Sequence, residues 1–94
     1  MNGADLIAHI LKLEGVELLP AFPHSDLIEA AAKVGIRPLI VRQERHALHM
    51  ADGYTRVTGG RKLCCTTVQY GPGPENALGG VAQCFADNVP DLPI

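Results

Sequence analysis

Apolar positions along the chain keep changing rhythm, alternating between a helical and an extended period. After Asn2, a residue suited to an N-cap, Leu6, Ile7, Ile10 and Leu11 recur at helical spacing as far as Gly15. Val16 to Phe22 is then a short, almost continuous apolar run closed by Pro23, the pattern of a strand buried on both faces. Ser25 or Asp26 can cap a second helix through Val34, with Gly35 as its stop. Ile36 to Val41 is a second buried run, in which Pro38 is tolerable near the start. From about Glu44 to Val57 the period is helical again, with Ala47, Met50, Ala51 and Tyr54 on one face and Gly59 and Gly60 beyond the end. Lys62 to Val68 predicts a third strand, followed by a Gly71-Pro72-Gly73 turn and a helix from about Pro74 to Ala86. Pro74 suits the first turn, where a missing N–H costs little. Asp91 to Ile94 has the pattern of a fourth strand beginning.

Strand and helix alternate three times, which predicts an α/β fold: a parallel sheet with helices on both faces, in three layers. With 94 residues the chain is one small domain or a piece of a larger one. Three strands and the start of a fourth leave an open sheet edge, so more protein is expected to follow. The core must come from small aliphatics, because aromatics are only 4% of residues and Trp is absent.

Charge adds mainly exclusions. A net charge of −2 without a basic stripe proposes neither nucleic acid nor an anionic membrane as a partner. No apolar run approaches the length of a membrane span, and the N-terminus does not read as a signal peptide. Three cysteines, two of them the adjacent Cys64 and Cys65, suggest reduced core thiols and a cytoplasmic location. No metal site is expected: His46 and His49 could share a helix face, but H-E-x-x-H is missing and no third ligand is suitably spaced.

In open parallel sheets ligands bind beyond the carboxyl ends of the strands, which selects three loops. Phe22-Pro23-His24-Ser25 places a rigid proline and two polar side chains at the first strand end. Gln43-Glu44-Arg45-His46 places a carboxylate after an apolar strand and at a helix start, and Gly71-Pro72-Gly73 brings bare backbone close to the crevice. Each has a purely structural alternative, namely a turn, a charge complementing a helix dipole, or a helix entry. Phosphate-loop and G-x-G-x-x-G motifs are absent. Ser25 with His24 lacks both an orienting acid and a nucleophile elbow. It is the joint occurrence of unusual residues at three strand ends that points to a site.

These residues, in their order, resemble the N-terminal, pyrimidine-binding (Pyr) domain of thiamine-diphosphate enzymes of the acetolactate synthase-like and benzoylformate decarboxylase-like group. The resemblance runs through Gly3-Ala4-Asp5, Glu14-Gly15-Val16, Phe22-Pro23, Gly35-Ile36 and Val41-Arg42-Gln43-Glu44. It continues through Ala51-Asp52-Gly53-Tyr54-x-Arg56-x-Thr58-Gly59, Gly71-Pro72-Gly73-x-x-Asn76 and Ala86-Asp87-x-Val89-Pro90. It implies that Glu44 is catalytic, hydrogen-bonding the cofactor's aminopyrimidine ring and stabilising the imino tautomer that takes the proton from the thiazolium carbon. It further implies that Phe22, Pro23, Pro72, Gly73 and Asn76 line the aminopyrimidine site. His24 and Tyr70 replace a frequent Gly and Ser of the family and, with Ser25, are candidates for the substrate side.

The resemblance makes residues 1–94 the front part of a Pyr domain. The diphosphate- and Mg2+-binding motif, found in a separate C-terminal domain, does not occur in this chain. The implied parent acts on a 2-oxo acid by carboligation or decarboxylation. Its site forms against the diphosphate-binding domain of a second subunit, in a homodimer or homotetramer. The alternative is a non-catalytic pairing or regulatory module that associates with a full-length relative.

Overall fold

The computed structural model of the chain describes residues 2–23 and 26–94. Its elements are α1 (Gly3–Leu13), β1 (Leu18–Ala21), α2 (Asp26–Lys33), β2 (Arg37–Ile40), α3 (Glu44–Val57), β3 (Cys65–Thr66), α4 (Pro72–Ala86) and β4 (Leu92–Pro93). Asn2 caps α1 as expected: its side chain accepts from the Asp5 N–H at 3.0 Å, while Asp5 accepts from the Asn2 N–H at 3.1 Å. That reciprocal box satisfies two helix-end donors, and replacing the cap by alanine would cost about 0.5–2 kcal/mol.

β1 pairs with β2 in parallel, with Leu18 opposite Arg37, and β3 pairs with β4 in parallel, with Cys65 opposite Leu92. A parallel bridge between Ala21 and Thr67 joins the two pairs, so the strand order is β2–β1–β3–β4. The Phe22 N–H donates to the Thr67 carbonyl at 3.2 Å across this seam. The expected third strand over Lys62–Val68 is thus a ladder of only two residues, extended by one bridge.

Side chains alternate across the sheet. Leu19, Ala21 and Cys65 join Ala8, Leu11, Leu27, Ala30, Ala31 and Ile36 in one fully apolar cluster beneath α1 and α2. Each fully buried Leu or Ile of this cluster contributes about 1.5–3 kcal/mol. On the other face α3 packs against β1, β3 and α4. The three-layer α/β architecture expected from the alternation is therefore present.

The buried face of α3 differs from the one the pattern predicts. It consists of Glu44, Ala47, Leu48, Ala51, Asp52 and Thr55, whereas Met50 is 40% exposed. Hydropathy conceals this face because three of its members are polar, and each is buried with a hydrogen-bond partner. Similarly, α4 begins at Pro72, not Pro74, because Gly71, at φ +65°, turns the chain directly into the helix.

Candidate functional site

Helix α2 leaves β1 toward β2, whereas the chain after β2 crosses through α3 to β3 on the other side of β1. The carboxyl ends of β1 and β3 therefore flank the point where strand order reverses, where a crevice opens in such sheets. Three segments converge there: Phe22-Pro23 after β1, the start of α3, and the entry to α4.

Glu44 is the first residue of α3 and only 3% exposed. The N-cap, Gln43, makes no side-chain cap bond, so the Glu44 carboxyl at the head of α3 has no capping side chain beside it. Asn76, one turn into α4, donates from Nδ2 to Glu44 Oε1 at 3.0 Å. The other oxygen, Oε2, lies over Gly73: a Cβ built there would stand 3.4 Å from Oε2 and 3.3 Å from the Cβ atoms of both Val68 and Gln69. Gly73 is thus the floor of a cradle, walled by Val68 and Gln69, in which even a methyl group would be crowded.

The site residues expected from the sequence fall into four groups. Glu44, Gly73 and Asn76 meet directly, with Pro72 at the head of the same helix. Phe22, half-buried, and exposed Pro23 lie at the neighbouring strand end, where the Phe22 N–H is already engaged by Thr67. Tyr70 is 76% exposed and lines a shallow cleft of about 390 Å³ with Thr67, Val68, Gln69, Gly71, Pro74 and Ile94, a cleft that does not include Glu44. His24 and Ser25 lie outside the described residues. Of the cradle's walls, Gln69 opens the loop that the strand-end rule selects, whereas Val68 was not singled out from the sequence. Its place at the very end of the predicted strand was the available signal.

The long motif on α3 braces the fold and does not enter the crevice. Arg56 bridges Asp52 at 2.7 Å and Asp87 at 2.6 Å, tying the end of α3 to the C-cap of α4. Both carboxylates raise the Arg56 pKa further. The Thr55 hydroxyl donates to the Pro90 carbonyl at 3.3 Å, and the Tyr54 hydroxyl donates to Glu17 at 2.8 Å. Lys62 and Tyr54 together hold the Glu17 carboxyl below its usual range.

Elsewhere the titratable groups argue against further chemistry. Burial pushes the Cys64 and Cys65 thiols up to about 12, which keeps them un-ionised and poor nucleophiles. Among the described residues no group of His, Cys, Asp and Glu could hold a metal ion, and no helix is long and apolar enough to cross a membrane.

The whole chain, residues 1–94, matches the family described as thiamine pyrophosphate enzyme, N-terminal TPP binding domain. It is 37% identical over 94 residues to the acetolactate synthase large subunit of Haemophilus influenzae, a match covering 96% of this chain and 16% of that protein. To the acetolactate synthase isozyme 3 large subunit of Escherichia coli K12 it is 35% identical, again over 96% of this chain and 16% of the relative. The chain therefore spans about a sixth of the length of these curated relatives. The fold matches an X-ray structure of a provisionally assigned thiamin diphosphate-dependent enzyme from Mycobacterium smegmatis, with a TM-score of 0.76 at 23% identity over 99% of this chain and 18% of that one. With the match running from the first residue to the last, the chain belongs to the N-terminal TPP-binding domain family of thiamine pyrophosphate enzymes.

Proposed function

We propose that the chain supplies the aminopyrimidine half of a thiamine-diphosphate site in an acetolactate synthase-like enzyme acting on 2-oxo acids, with Glu44 as the acid–base group. The observation that carries it is the Glu44 carboxyl: 3% exposed, at the switch point of the sheet, with one oxygen tethered and the other over bare backbone. A surface glutamate that merely complemented a helix dipole would have no need of burial. The residues fit the cofactor's chemistry, because a buried carboxyl with one oxygen held by Asn76 suits acid–base work on a ring nitrogen, and Gly73 adds no side-chain atom beside the other oxygen.

When bound, the cofactor supplies a thiazolium carbon that becomes a nucleophile toward the substrate carbonyl. The protein's part is acid–base and steric. Glu44 exchanges a proton at Oε2 with the ring edge, from a place where little water competes and hydrogen bonds are correspondingly stronger. Pro72 and Gly73 shape the floor, and Phe22 and Pro23 form the neighbouring wall. Tyr70, with His24 and Ser25, is assigned to the substrate side. The diphosphate and its Mg2+ are assigned to a separate domain from a second subunit, in a homodimer or homotetramer, with this chain as the front part of the Pyr domain.

The test is Glu44→Gln in the full-length enzyme, followed by hydrogen–deuterium exchange at the thiazolium carbon of bound cofactor. Exchange should slow on the order of 10²-fold or more, as expected when a positioned acid–base group is lost, with the melting temperature little changed. Unchanged exchange with a lowered melting temperature would assign Glu44 to the helix terminus alone. A pairing module without chemistry would instead copurify with a full-length relative and show no dependence on Glu44.

A further inference from the structure

Helices α3 and α4 both start at the crevice and run away from it side by side. Asn76 and Gly80 stand one turn apart on α4, as Glu44 and Leu48 do on α3, so the Asn76–Glu44 bond and the Gly80–Leu48 contact are successive rungs between the helices. At the second rung there is no room: a Cβ added at Gly80 would overlap the Leu48 Cβ and lie 3.1 Å from its Cγ and 3.5 Å from the Arg45 carbonyl. Leu48 is 1% exposed and cannot move into solvent. Glycine in a helix interior costs roughly 0.5–1 kcal/mol against alanine, so its presence here goes with close approach of the helices. The adjoining Gly79 is different, since a Cβ there would meet only the Arg45 side chain, at ordinary distances of 3.6 Å to Nε and 3.9 Å to Cδ.

From this geometry we propose that Asn76 serves the chemistry as a positioning residue: it holds Glu44 Oε1, through a helix spacing set at Gly80, so that Oε2 is the oxygen presented to the ring. The inference rests on the assignment of Glu44 above. An amide nitrogen only donates, so Oε1 is committed as an acceptor and the mobile proton belongs to Oε2. Asn76 thereby selects one of two otherwise equivalent carboxyl oxygens and fixes its direction. Misplacement of a reacting group by about 1 Å can cost on the order of 10²-fold in rate.

The experiment compares Asn76→Ala, Gly80→Ala and Gly79→Ala in the full-length enzyme, with two readouts. Without cofactor, the side-chain amide signal of labelled Asn76 reports its bond to Glu44. That signal should show protection from solvent exchange in the wild type and Gly79→Ala, and lose it in Gly80→Ala. With cofactor, exchange at the thiazolium carbon should slow on the order of 10²-fold in Asn76→Ala and Gly80→Ala, stay at the wild-type rate in Gly79→Ala, and leave the cofactor Kd within a few-fold. If Asn76 instead touches the cofactor only as a binding contact, Asn76→Ala raises Kd and leaves the exchange rate alone, and the proposal is overturned. It is equally overturned if Gly80→Ala folds with Asn76 protection and exchange both intact. Should Gly80→Ala not fold, Asn76→Ala carries the test, because Asn76 is an exposed residue. A Glu44→Gln variant run alongside separates the two levels. If it too leaves exchange unchanged, the assignment of Glu44 fails. If it slows exchange while Asn76→Ala does not, only the positioning role fails.

Discussion

Asp91 makes the stability of this fold depend on pH in an unusual direction. It precedes β4 and lines a cavity of about 180 Å³ with Leu48, Val81, Cys84, Phe85, Val89 and Pro93. Its Oδ1 accepts from the Leu92 N–H at 2.9 Å, while its Oδ2 is buried with no partner among the described residues. Burial pushes its pKa from 3.8 up to about 7, and the nearby Asp52 carboxylate adds to the rise. A raised carboxyl pKa means that folding favours the protonated form, so the stability it confers is complete below pH 3.8 and disappears as pH rises through about 7. Three units correspond to about 4 kcal/mol, and partial access to water reduces this to roughly 2–4 kcal/mol. Asp91→Asn should remove most of the slope between pH 5 and 8. Asp91→Leu should in addition fill the apolar cavity and raise stability at pH 8 by about 2–4 kcal/mol. Urea denaturation at pH 5, 6, 7 and 8 measures both. Wild-type stability that is flat or rises across this window, or a Leu variant no more stable at pH 8, would refute the reasoning.

Three further outcomes are expected. Arg56→Met should cost about 1–3 kcal/mol in a denaturant titration, more than a surface pair, because it strands the Asp52 carboxylate in a site where that side chain is 8% exposed. The isolated 94-residue chain with thiamine diphosphate and Mg2+ should turn over no 2-oxo acid in a coupled assay, since the diphosphate end would have no anchor. In the full-length enzyme, Tyr70→Ser and His24→Gly should change the relative kcat/KM for two or more 2-oxo acids, and identical ratios would remove both from the substrate side.

The element order and the three strand ends were legible because Gly, Pro and the apolar runs mark segment boundaries through local chemistry. Asn2, Gly15 and Gly35 act within a few residues of themselves, so a linear pattern contains them. The partnership of Glu44 with Asn76 was less so. The motif nominated both residues for the cofactor, yet their mutual bond spans 32 positions and depends on how two helices pack. The burial of Asp52 and Thr55 and the orphaned oxygen of Asp91 were not legible. Each is a polar or small group whose environment is made by distant segments, and hydropathy assigns such groups to the surface. Gly79-Gly80 was the missed signal, because two glycines inside a helical stretch carry a local cost that only tertiary contact can offset.

The bridge from Ala21 to Thr67 has a kinetic consequence. Parallel pairing brings no neighbours in sequence together, so the chain gains little until long loops have closed, and folding of such topologies is slow. Because that seam joins the two strand pairs, the crevice at their ends exists only in fully folded molecules. A partly folded chain then has nothing to offer the cofactor, and ligand binding stabilises the native state alone by mass action. The shift in unfolding midpoint with cofactor concentration would accordingly count closed sheets, and a variant that weakens the seam should lose that shift before it loses its helices.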